Sequence, residues 1–152
     1  MTAMNKEINS NPSFVIDSFF ALLSLVIDKQ GPKMRFSQIY IEALIFELLI
    51  KRLYLLDNSK QANTHHRIDK IFEKLNNETQ TYIKEKFDNR VERVKKLEEV
   101  VNDNLCIPKL ECVLKHNQHI VTNFKYDSKL KNGNTIDLPF LNDIHGHIKE
   151  RS

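Results

Sequence analysis

Apolar and polar positions along this chain recur at helical spacing almost from end to end. The strongest run is Ser37–Leu56, SQIYIEALIFELLIKRLYLL, which contains no Pro or Gly. Its Ala, Leu, Glu, Lys and Arg are good helix formers. At the rise of an α-helix it makes a rod about 30 Å long, the width of a small domain. Ile39, Leu44, Phe46, Leu48, Leu49, Leu53, Tyr54 and Leu56 cover more than one stripe of that rod. A helix that is apolar on most sides belongs in the middle of a bundle. Ser37 can cap it, and Asp57-Asn58-Ser59 ends it.

The other elements arrange themselves around this one. Phe14–Ile27, FVIDSFFALLSLVI, predicts a helix that starts at Asn11-Pro12-Ser13 and stops at Gly31-Pro32. Ile68, Ile71, Phe72 and Leu75 fall at i, i+3, i+4 and i+7, a short amphipathic helix broken by Asn76-Asn77. A fourth helix runs from about Glu78 to Val101 on the line Ile83, Phe87, Val94, Leu97 and Val101, with Arg90 filling the gap in the pattern. Its remaining residues are charged and nearly balanced, which reads as a solvated face with i,i+4 pairs such as Glu92–Lys96. Pro108 starts a fifth helix carrying Leu110, Val113, Leu114, Ile120 or Val121, and Phe124. Lys131-Asn132-Gly133-Asn134 is a turn or flexible loop. Pro139 opens a last helix with Phe140, Leu141, Ile144 and Ile148 facing inward. The connections are short, so neighbours should pack antiparallel. The expected fold is all-α: one antiparallel bundle of five to six helices over residues 11–149, after a polar, frayed stretch at 1–10.

Composition narrows the class. A length of 152 residues suits one domain and buries roughly 70% of its unfolded surface. Three Gly and four Pro argue against strands and turns, and 41% apolar with 28% charged residues is ordinary for a globular protein. A net charge of +3 does not by itself announce a nucleic-acid binder. The Phe14–Ile27 run is too short to span a bilayer and Asp17 interrupts it, so no membrane association is expected. Cys106 and Cys112 match neither a zinc knuckle nor a redox pair. Two lone cysteines without a signal peptide point to a reducing cytoplasm.

Candidate chemistry is sparse. Six histidines fall in three pairs: His65-His66, His116 with His119, and His145 with His147. Zinc needs three or four converging ligands and no segment supplies them, so surface or capping roles are expected, with no metal and no cofactor. No Gly-rich phosphate loop or nucleophile elbow is present. Glu47 and Lys51 are placed as an i,i+4 ion pair, and Glu42, if buried, is a functional candidate. Lys109–Lys131 has the densest local charge: Lys109, Lys115, Lys125, Lys129 and Lys131 against Glu111 and Asp127, with His116, Asn117, His119, Asn123 and Tyr126 among them. Such a face can grip an RNA backbone and stack a base, or it can be a solvated helix end. The candidate binding residues for RNA or a partner are Lys109, Lys115, Asn123, Lys125 and Tyr126. His116 and His119 are the candidate acid–base pair.

Two stretches carry a resemblance. Glu47-Leu48-Leu49-Ile50-Lys51-Arg52-Leu53-Tyr54-Leu55-Leu56, a polar loop, Thr64-His65-His66-Arg67-Ile68 and Ile71-Phe72-Glu73-Lys74-Leu75 resemble HEPN-type domains. So do Asn117–Tyr126 and Ile136-Asp137-Leu138-Pro139-Phe140-Leu141. The resemblance covers roughly residues 37–75 and 108–145. It implies a helical bundle that dimerises, in a family of RNases of toxin–antitoxin or phage-defence systems alongside non-catalytic members. Active members carry an Arg followed, after four to six residues, by a His. None of Arg35, Arg52, Arg67, Arg90, Arg93 and Arg151 has that His, and Lys109 with His116 is the nearest imitation. Lysine is a point charge where arginine is a planar fork. The expectation is therefore a degenerate, non-catalytic homodimer that binds a protein or RNA. The alternative is a metal-independent RNase, with His116 or His119 as acid and base and Lys109 or Lys125 stabilising phosphate charge.

Overall fold

The computed structural model describes residues 12–29, 32–62, 66–101, 109–123 and 136–152. Those residues form six helices and no strand: α1 Pro12–Lys29, α2 Pro32–Asn58, α3 Ile68–Glu73, α4 Asn77–Val101, α5 Leu110–Asn123 and α6 Leu138–Arg151. The expected all-α bundle is what the chain forms. The stretch 1–10, Asn11, Pro108 and the 131–134 loop lie outside the described residues.

α2 is the hub, packing against α1, α3, α5 and α6. Its all-round apolarity explains this: Ile41, Ala43, Ile45, Phe46, Leu49, Ile50, Leu53 and Tyr54 are all buried. A helix with one stripe can bury one side only; α2 buries several. α4 is the opposite case. Its buried residues Thr79, Ile83, Phe87, Arg90 and Val94 form a single line, and it packs chiefly on α6. Aromatic edges close that layer, with Phe140 meeting Phe46 at 5.6 Å and Phe87 at 5.8 Å between ring centroids.

One helix start differs from expectation. α2 begins at Pro32, so Ser37 is an interior residue and not its cap. Proline at a first helical turn lacks only an N–H that has no partner there, so the residue that stops one helix can open the next. α4 is capped from a distance: Asp57, at the end of α2, accepts the Asn76 N–H at 2.9 Å. α6 follows local rules, since Asp137 accepts the Phe140 N–H at 2.9 Å and Pro139 sits in the first turn. Past α2 the chain turns at Ser59, whose φ is 58°. The Ser59 N–H donates to Leu55 O at 2.8 Å and closes the helix end.

Candidate functional site

Short α3 and the first half of α5 lean on each other, and a cleft of about 890 Å³ opens between them and α4. Its floor is Phe72, Phe87, Val91, Leu110 and Leu114, the inward stripes of three helices. The polar residues beside those stripes make the rim: Arg67, Lys70, Lys84, Lys95, Lys109 and Lys115 as bases, Asp69, Glu73, Asp88 and Glu111 as acids. Some of these pair internally, Arg67 with Asp69 at 3.3 Å and Lys70 with Glu73 at 3.9 Å. Asp69 is buried and its second oxygen, Oδ1, has no hydrogen-bond partner.

The structure distributes the sequence-selected residues unevenly. Lys109 and Lys115 line the cleft. Lys109 also starts α5, its carbonyl accepting the Val113 N–H at 3.0 Å. His116 and His119 are exposed and outside the cleft, their ring centroids 6.3 Å apart. Asn123 is the last residue of α5, while Lys125 and Tyr126 lie outside the described residues. Asn117 is no part of a basic face. It is buried and donates from Nδ2 to Ala43 O of α2 at 3.0 Å, an anchor between helices.

Elsewhere the titratable residues tie helices together. Glu47 is buried and holds Lys51 at 3.6 Å, the expected i,i+4 pair, but its other oxygen lies 2.8 Å from His66 Nδ1. With Nδ1 protonated, His66 donates to that carboxylate and fixes the chain entering α3. Glu42 is buried as well and accepts from Gln38 Nε2 at 2.9 Å. His145, contrary to a surface role, is buried: its Nε2 lies 2.8 Å from Asp17 Oδ1 and its ring stacks on Phe20 at 4.8 Å. That His145 hydrogen bond holds the Asp17 carboxyl below its ordinary range, against the opposing effect of burial and with help from Lys149 at 3.6 Å. His147 stacks on Tyr82 at 4.0 Å, and the Tyr82 hydroxyl donates to Asp143 O at 2.9 Å. Burial, together with Asp143, Glu150 and Glu85, pushes the Tyr82 hydroxyl upward.

Arg90 is the residue whose role the periodicity concealed. It fills its place in the α4 stripe at 0% exposure, with Nε, Nη1 and Nη2 all lacking a hydrogen-bond partner. Its guanidinium lies 5.5 Å from the Phe87 ring centroid. Burial lowers its proton affinity; Asp137 and Glu42 oppose that, and Arg93 reinforces it. Next to it Arg93 makes a two-pronged pair with Asp137, Nη2 to Oδ1 at 2.8 Å and Nε to Oδ2 at 3.3 Å.

Among the described residues no group of three or more His, Cys, Asp or Glu side chains could hold a metal ion. Nor is any helix among them long and apolar enough to cross a membrane. Comparison with protein-family models, with curated proteins and with solved structures gives no match. Among the described residues, the cleft between α3, α4 and α5 is a place where charged side chains from three helices converge.

Proposed function

We propose that this chain is a non-catalytic, HEPN-like helical bundle that works by holding a macromolecular partner, protein or RNA, in the cleft between α3, α4 and α5. One observation supports this above others: the cleft draws Lys109 and Lys115 together with Arg67, Lys70, Lys84 and Lys95 from other parts of the chain. Charged rims around an apolar floor suit recognition. Its described lining contains no His, Cys, Ser or Thr, and its titratable groups are carboxylates and bases, several of them paired with one another. The toxin–antitoxin or phage-defence setting implied by the resemblance belongs to the same proposal.

The working unit in this reading is a homodimer. α1 leaves Phe14, Leu22 and Leu25 exposed at 55%, 44% and 60%. Three large apolar side chains on one helix favour association with a second copy. Light scattering of the purified protein, alone and mixed with total RNA followed on a gel, tests both parts. The expected result is a dimer that leaves RNA intact and becomes a monomer in Leu22→Glu/Leu25→Glu. A wild-type monomer at micromolar concentration overturns the dimer. RNA cleavage that survives a chelator and is lost in His116→Ala/His119→Ala overturns the non-catalytic reading.

A further inference from the structure

We infer that the occupant of the α3–α4–α5 cleft is a protein segment, amphipathic and acidic in excess, and not RNA; this rests on the binding reading above. The rim's charges divide into paired and unpaired. Arg67 and Lys70 have carboxylates of their own, and Lys95 reaches Glu92 at 3.7 Å. Among the described residues, Lys84, Lys109 and Lys115 have no carboxylate within ion-pair distance, although all three are exposed. Asp88 and Glu111 equally have no cation there. The open charges are therefore three lysines and two carboxylates, around a floor on which Val91 and Leu110 are half-exposed.

An RNA strand fits this poorly. Its backbone repeats one sign of charge, and the two open carboxylates, Asp88 and Glu111, would face it. Single strands also gain much of their affinity by stacking on aromatic faces. The two aromatic residues of the floor, Phe72 and Phe87, are 7% and 3% exposed and offer no such face. An amphipathic helix or extended peptide meets each feature. Its aliphatic stripe lies on Val91 and Leu110, its carboxylates reach Lys84 on one side and Lys109 and Lys115 on the other, and an occasional base answers Asp88 or Glu111. The cleft's volume is of the size that admits several side chains.

The full-length protein is titrated against three fluorescein-labelled probes: a Leu/Glu amphipathic helical peptide, the same peptide with Lys for Glu, and a single-stranded oligouridine. Only the acidic peptide is expected to bind. Lys109→Glu/Lys115→Glu should weaken it by about tenfold or more, since each reversal replaces an attraction with a repulsion at the rim. Glu111→Lys should tighten it, and Lys96→Glu, on α4 outside the cleft, should leave it unchanged. Equal binding of the two peptides overturns the acidic preference. Oligouridine binding that disappears on the Lys109/Lys115 reversal, with no peptide binding, overturns the protein-segment inference and leaves the binding reading standing. If no probe binds, both fall.

Discussion

Two of the charges buried in this bundle are treated in opposite ways. The Asp57 side chain, at the end of α2, is 0% exposed, and every part of it is used. Oδ2 accepts the Asn76 N–H at 2.9 Å; Oδ1 accepts the Thr79 hydroxyl at 3.1 Å and Arg151 Nη2 at 2.7 Å. One carboxylate caps α4 and fastens the C-terminal end of α6 to α2. Arg90, in the middle of α4, is buried as completely and has no hydrogen bond at all. Glu42 and Asp137 favour its charge through space, but burial outweighs them. A buried charge with its hydrogen bonds made is a joint; a buried charge without them is a cost that surrounding packing must offset.

The largest expected effect is at the joint. Asp57→Ala removes a cap and three hydrogen bonds and leaves the partly exposed Arg151 without its partner, and should cost about 2–4 kcal/mol. For a chain of this size that lowers Tm by roughly 10 °C, measurable by calorimetry or circular dichroism. The pH dependence follows in sign. Burial alone would raise the Asp57 carboxyl, but Asn76, Arg151 and Thr79 outweigh it and hold the group below its ordinary 3.8. A depressed carboxyl stabilises the fold above the unfolded value and loses that contribution as pH falls through the folded one. The gap between wild type and Asp57→Ala should therefore be full at pH 6 and narrow below about pH 4. A gap that stays constant down to pH 2 would mean that Asp57 acts through packing and not through charge.

Next comes the orphan. Arg90→Met keeps an apolar side chain in the stripe and removes the desolvated charge. Buried ions exchanged for apolar residues commonly leave stability unchanged or improved. The expected change lies between zero and a gain of about 2 kcal/mol, read from denaturant midpoints at constant m. A loss as large as that of Asp57→Ala would erase the contrast. It would show that the charge of Arg90, and not its packing alone, holds this part of the bundle together.

These two residues also mark how far the sequence could be read. Arg90 stood in the apolar line of α4, so periodicity placed it inward; periodicity carries no information on what its guanidinium would meet. The all-round apolarity of Ser37–Leu56 placed α2 at the centre, because burial of that much surface leaves few alternatives. Glu47–Lys51 was legible because it lies within one helical turn. His66 joining it, Asn117 reaching Ala43 and His145 reaching Asp17 were not, since each closes over a long sequence separation that local patterns do not encode. The cleft shares this property. Lys109 and Lys115 stood out from their segment's charge, whereas Lys84 on α4 and Arg67 before α3 join them only once three helices pack. His116 and His119, selected by spacing, face solvent beyond that cleft: i,i+3 spacing sets a shared face, not what the face looks at.

The smallest effect lies beside the joint. Ser59 turns the chain immediately after α2 with φ at 58°, the left-handed region that a Cβ disfavours and glycine accepts freely. The helix end it closes is the one that presents Asp57 to α4 and Arg151. Ser59→Gly should relieve that strain at the cost of a more flexible unfolded chain, for a net gain of about 0.5–1 kcal/mol. If the turn also helps to aim Asp57, the gain should shrink in the Asp57→Ala background, because there is no longer a carboxylate to position. Equal gains in both backgrounds would make the two sites independent, as expected of residues that share no partner. A double-mutant cycle on denaturant midpoints separates the outcomes. An unequal result would extend the joint by one turn, from the Asp57 side chain to the backbone that holds it.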